Sequence, residues 1–268
     1  MNRPRKTGEH QARKRFGQNF LVDHNIIEKI VSAIAPAPGQ NLIEIGPGQG
    51  AITGPVLEKC PHLNVVELDR DLVPILQKKF QEYPDFHIHQ GDALKTDFSQ
   101  FYQEGKPLRI IGNLPYNIST PLMFHLLSFS GQIRDMYFML QKEVVTRLAA
   151  APRDKNYGRL SVMVQYYCRV QPLFQVPPSA FRPAPKVESA IVRLLPYPEP
   201  PYPADDLQLL SRLVRACFQQ RRKTMRNTLK HMLEVEQLEQ LDLDLTRRPE
   251  TLSVEDFVHL SNQIGSLL

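Results

Sequence analysis

Two patterns of apolar and polar residues alternate along the first two thirds of the chain. Short apolar runs end in glycine or acidic residues, and each is followed by a segment whose apolar residues recur every three or four positions. The first spacing predicts buried strands, and the second predicts helices that pack on them. The predicted strands are 41–45, 64–68, 86–89, 109–112 and 136–140, and the predicted helices are 25–35, a segment around 56–57, 72–80, 121–128 and one ending near 148.

This alternation predicts an α/β fold of the doubly wound, Rossmann-like kind, with a mostly parallel sheet and helices on both faces. After Gly158 the order changes. The runs 160–170 and 190–195 are typical of strands and have no long helix between them. We therefore expect an antiparallel pair at one edge of the sheet, within a first domain that spans 18–196.

A second, smaller domain is predicted beyond a proline-rich stretch. Residues 197–203 contain prolines at nearly every second position, which is typical of a stiff linker. Apolar residues in 205–219 recur at helical spacing, and about three later segments do the same. We expect a small all-α domain over 204–268.

The positive charge of the chain is concentrated in two segments. Residues 1–17 contain six lysines and arginines against one acid, which accounts for the formal net charge of +5 and predicts a flexible basic arm. The stretch 207–233 contains seven basic residues and no acid, and on one helix Arg222, Arg226 and Lys230 would form a stripe. A solvated helix face explains either segment alone, but together they favour a nucleic-acid partner.

Two classes of protein are disfavoured by the sequence. No apolar run approaches the roughly 20 residues that a membrane span needs, and no apolar segment follows the basic N-terminus as in a secretory signal. We expect a cytoplasmic protein without membrane association. Cys60, Cys168 and Cys217 are far apart and form no cluster with histidine, so we expect reduced thiols and no metal.

Three predicted strands end in residues suited to a nucleoside cofactor. Gly46 and Gly48 allow a tight turn and a close approach of the backbone to a ligand. Glu67 follows about twenty positions later and could accept hydrogen bonds from both ribose hydroxyls. Asp92 could accept one from an adenine amino group, although a turn residue is the alternative. Since dinucleotide-binding folds share this glycine pattern, an NAD-dependent dehydrogenase remains an alternative.

The turn after the fourth predicted strand suggests amino-group methylation. Asn113-Leu114-Pro115-Tyr116 is similar to the [Asn/Asp]-Pro-Pro-[Tyr/Phe] element of amino-group methyltransferases. The N6 amine of adenosine is a weak nucleophile because its lone pair is delocalised into the ring. The Asn113 side-chain oxygen and the Leu114 carbonyl could bind the N6 hydrogens and face the developing positive charge. Pro115 would stiffen the turn and Tyr116 would stack on the base. An ordinary strand-to-helix turn is the alternative.

A second aromatic residue lies in a proline-rich loop further along the chain. Phe181 begins the segment 181–189, which also contains two prolines. A rigid loop could hold this ring against the second face of the target base, and such stacking contributes about 1–3 kcal/mol per base. A plain hairpin loop is the alternative.

Five motifs in order carry a resemblance to a known family. They are Arg-Phe-Gly-Gln-Asn-Phe-Leu at 15–21, Glu-Ile-Gly-Pro-Gly-Gln-Gly at 44–50, Asn-Leu-Pro-Tyr at 113–116, Phe-Arg-Pro-Ala-Pro-Lys-Val-Glu-Ser at 181–189 and Gln-Arg-Arg-Lys-Thr at 220–224. Together they resemble the ribosomal RNA adenine dimethyltransferases from about residue 10 to the C-terminus. The last motif favours the bacterial small-subunit branch over the large-subunit enzymes of erythromycin resistance.

The resemblance implies an activity, a cofactor and a set of contacts. It implies dimethylation of N6 on two adjacent adenosines near the 3′ end of 16S rRNA in the small ribosomal subunit, a role in subunit assembly, and a monomeric enzyme. S-adenosyl-L-methionine is the implied cofactor, with Asn19 and Leu21 closing over its methionine end. The implied cofactor-binding residues are Asn19, Leu21, Gly46, Glu67, Asp92 and Asn113.

Two further alternatives are left open by the sequence. A DNA N6-adenine methyltransferase would use the same amino-group chemistry. A ribosome-assembly factor that binds RNA and methylates only incidentally would share the same motifs, because motifs do not separate binding from turnover.

Overall fold

The computed structural model describes residues 19–220 and 223–268, so the predicted arm at 1–17 lies outside the described residues. The strands of the described residues are β1 (Phe20–Leu21), β2 (Asn41–Ile45), β3 (Leu63–Glu67), β4 (Phe86–Gln90), β5 (Leu108–Asn113), β6 (Ile133–Gln141), β7 (Cys168–Val176), β8 (Phe181–Arg182) and β9 (Ser189–Pro196). Their α-helices are α1 (His24–Ile34), α2 (Thr53–Leu57), α3 (Val73–Lys79), α4 (Ser119–Leu127), α5 (Lys142–Ala149), α6 (Arg159–Tyr167), α7 (Leu207–Gln219), α8 (Met225–Leu229), α9 (Val235–Leu238) and α10 (Val254–Leu267).

Seven strands form one sheet in the order β4-β3-β2-β5-β6-β9-β7. Strand β2 pairs in parallel with both β3 and β5, and β4 and β6 continue the parallel arrangement on either side. The chain therefore runs outward from β2 to β4 and then starts again on the other side of β2. Open α/β sheets bind ligands at such a reversal, beyond the carboxyl ends of the strands. The predicted doubly wound fold is confirmed.

The central strands and the first helix form where the apolar pattern predicts them. All residues of β2 and of β3 are buried, as expected for parallel strands covered on both faces. Helix α1 begins at Asp23, whose carboxylate accepts hydrogen bonds from the Asn25 and Ile26 amides. It ends at Ala35, which adopts a left-handed conformation before the proline pair.

A buried ion pair fixes α1 against the sheet. Arg109 on β5 lies 2.8 Å from Asp135 on β6, and both side chains are almost inaccessible to solvent. The same guanidinium donates to the Ile34 carbonyl at the end of α1, at 2.6 Å. These charge-assisted bonds satisfy the buried charges and hold the helix end in place.

One predicted strand is wrong in its first part. Residues 160–170 were expected to be extended because of their valines and tyrosines, but Arg159–Tyr167 form α6 and β7 begins only at Cys168. Ser161 stabilises the helix start, because its hydroxyl accepts from the Gly158 amide and donates to the Arg147 carbonyl. Tertiary packing overrides the β-propensity of this stretch. The expected edge pair survives as β9 beside β7.

The chain divides into two compact units. Unit 1 comprises the residues up to Lys142 together with Leu173–Arg193, and unit 2 comprises Glu143–Pro172 together with Leu194–Leu268. The predicted linker at 197–203 therefore falls inside unit 2. There the Tyr197 amide donates to the Tyr167 carbonyl at 2.9 Å. Proline content predicts stiffness but does not reveal whether a stiff segment packs on its neighbours. The functional assignment of domains 18–196 and 204–268 stays a prediction.

Unit 2 has a helical core, as the apolar pattern of 205–219 and the later segments predicts. Helix α7 packs against α6 and α10. The centroid of the Phe218 ring on α7 lies 6.0 Å from that of Tyr157, just before α6, and 5.8 Å from that of Phe257 on α10. Helix α10 begins with a capping box formed by Ser253 and Asp256.

Candidate active site

A cavity of about 770 Å³ opens in unit 1 beyond the carboxyl ends of β2, β3 and β5. Its walls include nine of the ten residues predicted to be catalytic or cofactor-binding; Phe181 is the exception. The nine are Asn19, Leu21, Gly46, Glu67, Asp92, Asn113, Leu114, Pro115 and Tyr116. The topology of the sheet therefore brings together motifs that are up to about a hundred positions apart in sequence.

Glu67, the last residue of β3, lines the cavity. Its carboxylate accepts hydrogen bonds from the Asp69 amide at 2.7 Å and from the Gly48 amide at 3.4 Å. Burial is the main cause that raises the pKa of Glu67, and the two amides act in the opposite direction. A carboxylate has about four acceptor sites, so these bonds orient it and leave capacity for two ligand hydroxyls.

The glycine loop has the backbone geometry that its sequence predicts. Gly46 and Gly48 have positive φ values of 65° and 59°, which side chains other than glycine rarely adopt. A Cβ atom at Gly48 would lie 3.2 Å from the Phe20 ring. Glycine therefore lets β1 pack closely over the loop.

Glu44 is a candidate site residue that the sequence reasoning did not single out. It lines the cavity and is 2% exposed, and its carboxylate accepts a hydrogen bond from the Thr53 hydroxyl at 2.6 Å. Burial raises the pKa of Glu44 to about 7, and the nearby Glu67 adds to this shift. Its position inside the glycine motif was the available signal, but motif letters do not show which side chains point inward.

Asp92 forms the turn that was one of its two expected roles, and its contact with a ligand stays a prediction. It lines the cavity after β4, and its Oδ1 accepts from the Leu94 amide at 3.0 Å. This is the bond of an Asx turn, which stabilises the loop. The turn and a contact with a ligand are compatible, because a carboxylate accepts more than one hydrogen bond.

Asn113, at the end of β5, is held by the segment 19–22, which also lines the cavity. Its Nδ2 donates to the Asn19 carbonyl at 3.2 Å, and the following Leu114 amide donates to the Met139 carbonyl at 3.2 Å. The first bond fixes the plane of the carboxamide and leaves its oxygen to accept from a ligand. The second fixes the turn that carries the Leu114 carbonyl, so the side-chain acceptor and the backbone acceptor are each held by a hydrogen bond.

A two-stranded sheet joins the segment 19–22 to the proline-rich loop 181–189. Strands β1 and β8 are antiparallel, with Leu21 opposite Phe181. The Val22 amide also donates to the Ala180 carbonyl at 2.8 Å. Two-residue strands are too short to show a periodic pattern, which is why sequence reasoning did not predict β1 or β8.

Phe181 does not line the cavity in this structure. Its ring is 1% exposed and belongs to the core around α1, together with Leu21. The structure therefore gives Phe181 a packing contact, and its expected stacking on a target base stays a prediction. Composition suggested an accessible aromatic because prolines commonly mark exposed loops.

The basic stretch near the C-terminus does not form the predicted stripe on one helix, because α8 comprises only Met225–Leu229. Helix α7 ends at Gln219 and α8 starts after Thr224, so Arg226 and Lys230 do not continue the helix that precedes them. Arg222 lies outside the described residues. Exposed basic side chains of the described stretch are Arg212, Arg215, Lys223, Arg226 and Lys230. None of them forms an ion pair with another described residue.

Three further features of the described residues concern metal ligands, membrane spans and thiols. Residues 19–220 and 223–268 contain no group of three histidine, cysteine or acidic side chains that could hold a metal ion. No helix in that part of the chain is long and apolar enough to cross a membrane. Cys60, Cys168 and Cys217 are free and buried.

Known proteins resemble this chain in both sequence and fold. "Ribosomal RNA small subunit methyltransferase A" of Saccharophagus degradans is 62% identical over 95% of each chain. The protein of that name from Pseudomonas aeruginosa is 58% identical over 97% of each. The crystal structure of a dimethyladenosine transferase from Plasmodium falciparum is similar with a TM-score of 0.78, at 27% identity over 91% of this chain and 98% of the other.

The strand order and the cavity beyond β2, β3 and β5 define a class I methyltransferase, a fold that the solved structure shares. The model of a family described as ribosomal RNA adenine dimethylase matches residues 9–265. The chain belongs to this family and is an rRNA adenine dimethyltransferase. The family resemblance that the five motifs carry is thereby confirmed.

Proposed function

We propose that this protein transfers methyl groups from S-adenosyl-L-methionine to N6 of two adjacent adenosines near the 3′ end of 16S rRNA in the small ribosomal subunit. The observation that carries the proposal is the Asn113 carboxamide. It is fixed by the Asn19 carbonyl at 3.2 Å in the same cavity as Glu67. One wall therefore offers acceptors for an amino group, and another offers a carboxylate for a ribose.

The residues of the cavity fit S-adenosyl-L-methionine. Glu67 would accept from the ribose hydroxyls, Asp92 from the adenine amino group, and Gly46 would let the backbone approach the ligand. Asn19 and Leu21 would cover the methionine end, as the family resemblance implies. A volume of about 770 Å³ is within the range of small-molecule sites. NAD is the less suitable ligand, because a dehydrogenase would leave the Asn113–Tyr116 turn without a role.

The turn after β5 offers two hydrogen-bond acceptors to the weakly nucleophilic N6 amine. When bound, the cofactor provides an electrophilic methyl group on a sulfonium centre. In the first transfer the Asn113 oxygen and the Leu114 carbonyl accept from the two N6 hydrogens, which favours a pyramidal nitrogen with its lone pair directed at the methyl carbon; in the second transfer one N6 hydrogen remains for one of these acceptors. As the N–C bond forms and the C–S bond breaks, both acceptors face the positive charge on nitrogen, which then releases a proton to solvent.

The small-subunit substrate is supported by the relatives and by charge. The two relatives carry the small subunit in their names, and each covers nearly the whole chain. The exposed cations around α8 are Lys223, Arg226 and Lys230. They offer contacts to phosphates, and such contacts position RNA without reading its sequence. The proposal places most RNA affinity on these cations and on the arm.

Methyl transfer to matched substrates tests this proposal. Unmethylated small subunits, the naked 16S rRNA and double-stranded DNA are each incubated with enzyme and methyl-labelled cofactor. We expect label in the subunits and none in DNA. Label in DNA alone would contradict the proposal in favour of a DNA methyltransferase. Tight subunit binding without label would favour an assembly factor.

Charge reversal at Arg226 and Lys230 should weaken subunit binding. Each phosphate contact contributes close to one unit of slope in a plot of log affinity against log salt concentration. We expect the Arg226→Glu/Lys230→Glu variant to bind about tenfold more weakly, with a slope smaller by roughly two. The control is Lys59→Glu/Lys95→Glu, which changes the net charge equally at exposed lysines of unit 1. Equal slopes for the two variants would make the α8 cations a merely solvated face.

A further inference from the structure

The proline-rich loop ends in a buried hydroxyl that contacts the active-site turn. Ser189, the last residue of the motif that begins at Phe181, is 0% exposed. Its Oγ lies 2.8 Å from the Oη of Tyr116. Tyr116 lines the cavity and follows the Asn113 turn, so this hydrogen bond joins the loop to the ring expected to stack on the target base.

The main chain before Ser189 is held independently of Tyr116. The Lys142 amide at the start of α5 donates to the Glu188 carbonyl at 2.9 Å. The Lys142 ammonium also lies 2.8 Å from the Glu188 carboxylate. Ser189 then begins β9 in the sheet. Its hydroxyl is therefore attached to a backbone that is fixed on both sides.

The backbone of Tyr116 is also held by hydrogen bonds, so only the direction of its side chain is left for the Ser189 contact to determine. The Ser119 hydroxyl donates to the Tyr116 carbonyl at 3.2 Å, and Leu114 is bonded to β6. The Oη atom lies on the axis of the Cβ–Cγ bond, so a hydrogen bond at the ring tip fixes the direction in which the Tyr116 side chain points. A ring oriented before the base arrives need not be ordered during binding.

We propose that Ser189 is a positioning residue for methyl transfer. Its hydroxyl holds the Tyr116 ring in the orientation that receives the target adenine. The proposal rests on the function proposed above, because it concerns the same base. It gives the 181–189 motif a role in the active site that does not depend on access to the Phe181 ring.

A double-mutant cycle tests this role. Ser189→Ala and Tyr116→Phe delete the same hydrogen bond from opposite sides. Single-turnover methylation of unmethylated subunits, at saturating S-adenosyl-L-methionine, is measured for the wild type, both variants and their combination. We expect each single change to slow the reaction about threefold to tenfold, as for one neutral hydrogen bond. The combination should be no slower than the slower single variant. Cofactor affinity should stay at the wild-type value.

Several controls separate positioning from folding. Ser261→Ala removes a hydroxyl that is 1% exposed and has no hydrogen-bond partner in the described residues, and it should react at the wild-type rate. Ser189→Thr keeps the hydroxyl and should restore most of the rate. If Ser189→Ala does not fold, the single-turnover rates of Tyr116→Phe and Ser189→Thr test the positioning role in its place. A wild-type rate for Tyr116→Phe, or multiplicative losses in the cycle, would overturn the proposal.

A readout without turnover distinguishes failure of this inference from failure of the proposed function. Wild-type protein that methylates no subunit would refute the function. NMR of ring-labelled tyrosines, with Tyr116 assigned from Tyr116→Phe, tests positioning directly. We expect the Tyr116 signals to shift and average in Ser189→Ala but not in Ser261→Ala. Unchanged signals in Ser189→Ala would refute the positioning role.

Discussion

Asn113→Ala should lower the single-turnover rate of methyl transfer by roughly 100- to 1000-fold, about 3–4 kcal/mol, by analogy with the loss of one oxyanion-hole donor. The variant loses an acceptor directed at a nitrogen that becomes positive only as the methyl group moves. The exposed cations around α8 lie outside the lining of the cavity, so subunit binding should persist. The measurement is methylation of unmethylated subunits, with binding followed in parallel.

The cofactor must be saturating in that experiment. The Asn113 side-chain amide also donates to the Asn19 carbonyl at 3.2 Å. The alanine variant loses this hydrogen bond to the segment 19–22, so it should also bind the cofactor more weakly. Asn156→Ala is a matched control, since the side chain of this half-buried asparagine bonds Asp154, two positions away, and does not line the cavity. An Asn113→Ala enzyme that methylates at near wild-type speed would contradict the mechanism. Loss of subunit binding would assign Asn113 a structural role instead.

Glu67→Ala should weaken S-adenosyl-L-methionine binding by about one to two orders of magnitude, because charge-assisted hydrogen bonds to the ribose are lost. The structure adds a second reason. The carboxylate accepts from the Gly48 and Asp69 amides, so alanine also loosens the glycine loop. Calorimetric titration measures the dissociation constant.

Glu67→Gln separates the two contributions. Glutamine keeps one acceptor oxygen and almost the same volume, so it should lose less affinity than alanine. Thermal unfolding of the free variants checks that the fold is intact. Unchanged affinity in folded Glu67→Ala would remove this residue from the cofactor site.

The sequence predicted the parts of the fold that depend on long periodic patterns. Strands β2, β3, β5 and β6 and helix α1 have apolar runs or helical spacing that match their buried residues, and their observed bounds lie within a few residues of the predicted ones. Helix α6 was mistaken for a strand because valine and tyrosine favour strands locally. Its helical state depends on contacts such as that of Ser161 with Arg147.

The candidate site was predictable where a residue type carries the chemistry. Glu67 and Asn113 follow strands whose carboxyl ends meet, so a parallel sheet brings them to one cavity. The Tyr116–Ser189 hydrogen bond joins residues 73 positions apart through two hydroxyls that have many possible partners. The burial of Phe181 depends on its pairing with Leu21. Neither follows from spacing in the sequence.

The identity of the modified nucleoside tests the central claim most directly. Unmethylated small subunits are incubated with the wild-type enzyme and S-adenosyl-L-methionine that carries a ¹³C-labelled methyl group. The rRNA is then digested to nucleosides and analysed by mass spectrometry. We expect N6,N6-dimethyladenosine with two labelled carbons, in an amount of about two nucleosides per subunit. Label on a ribose hydroxyl, on another base, or on no nucleoside at all would contradict it.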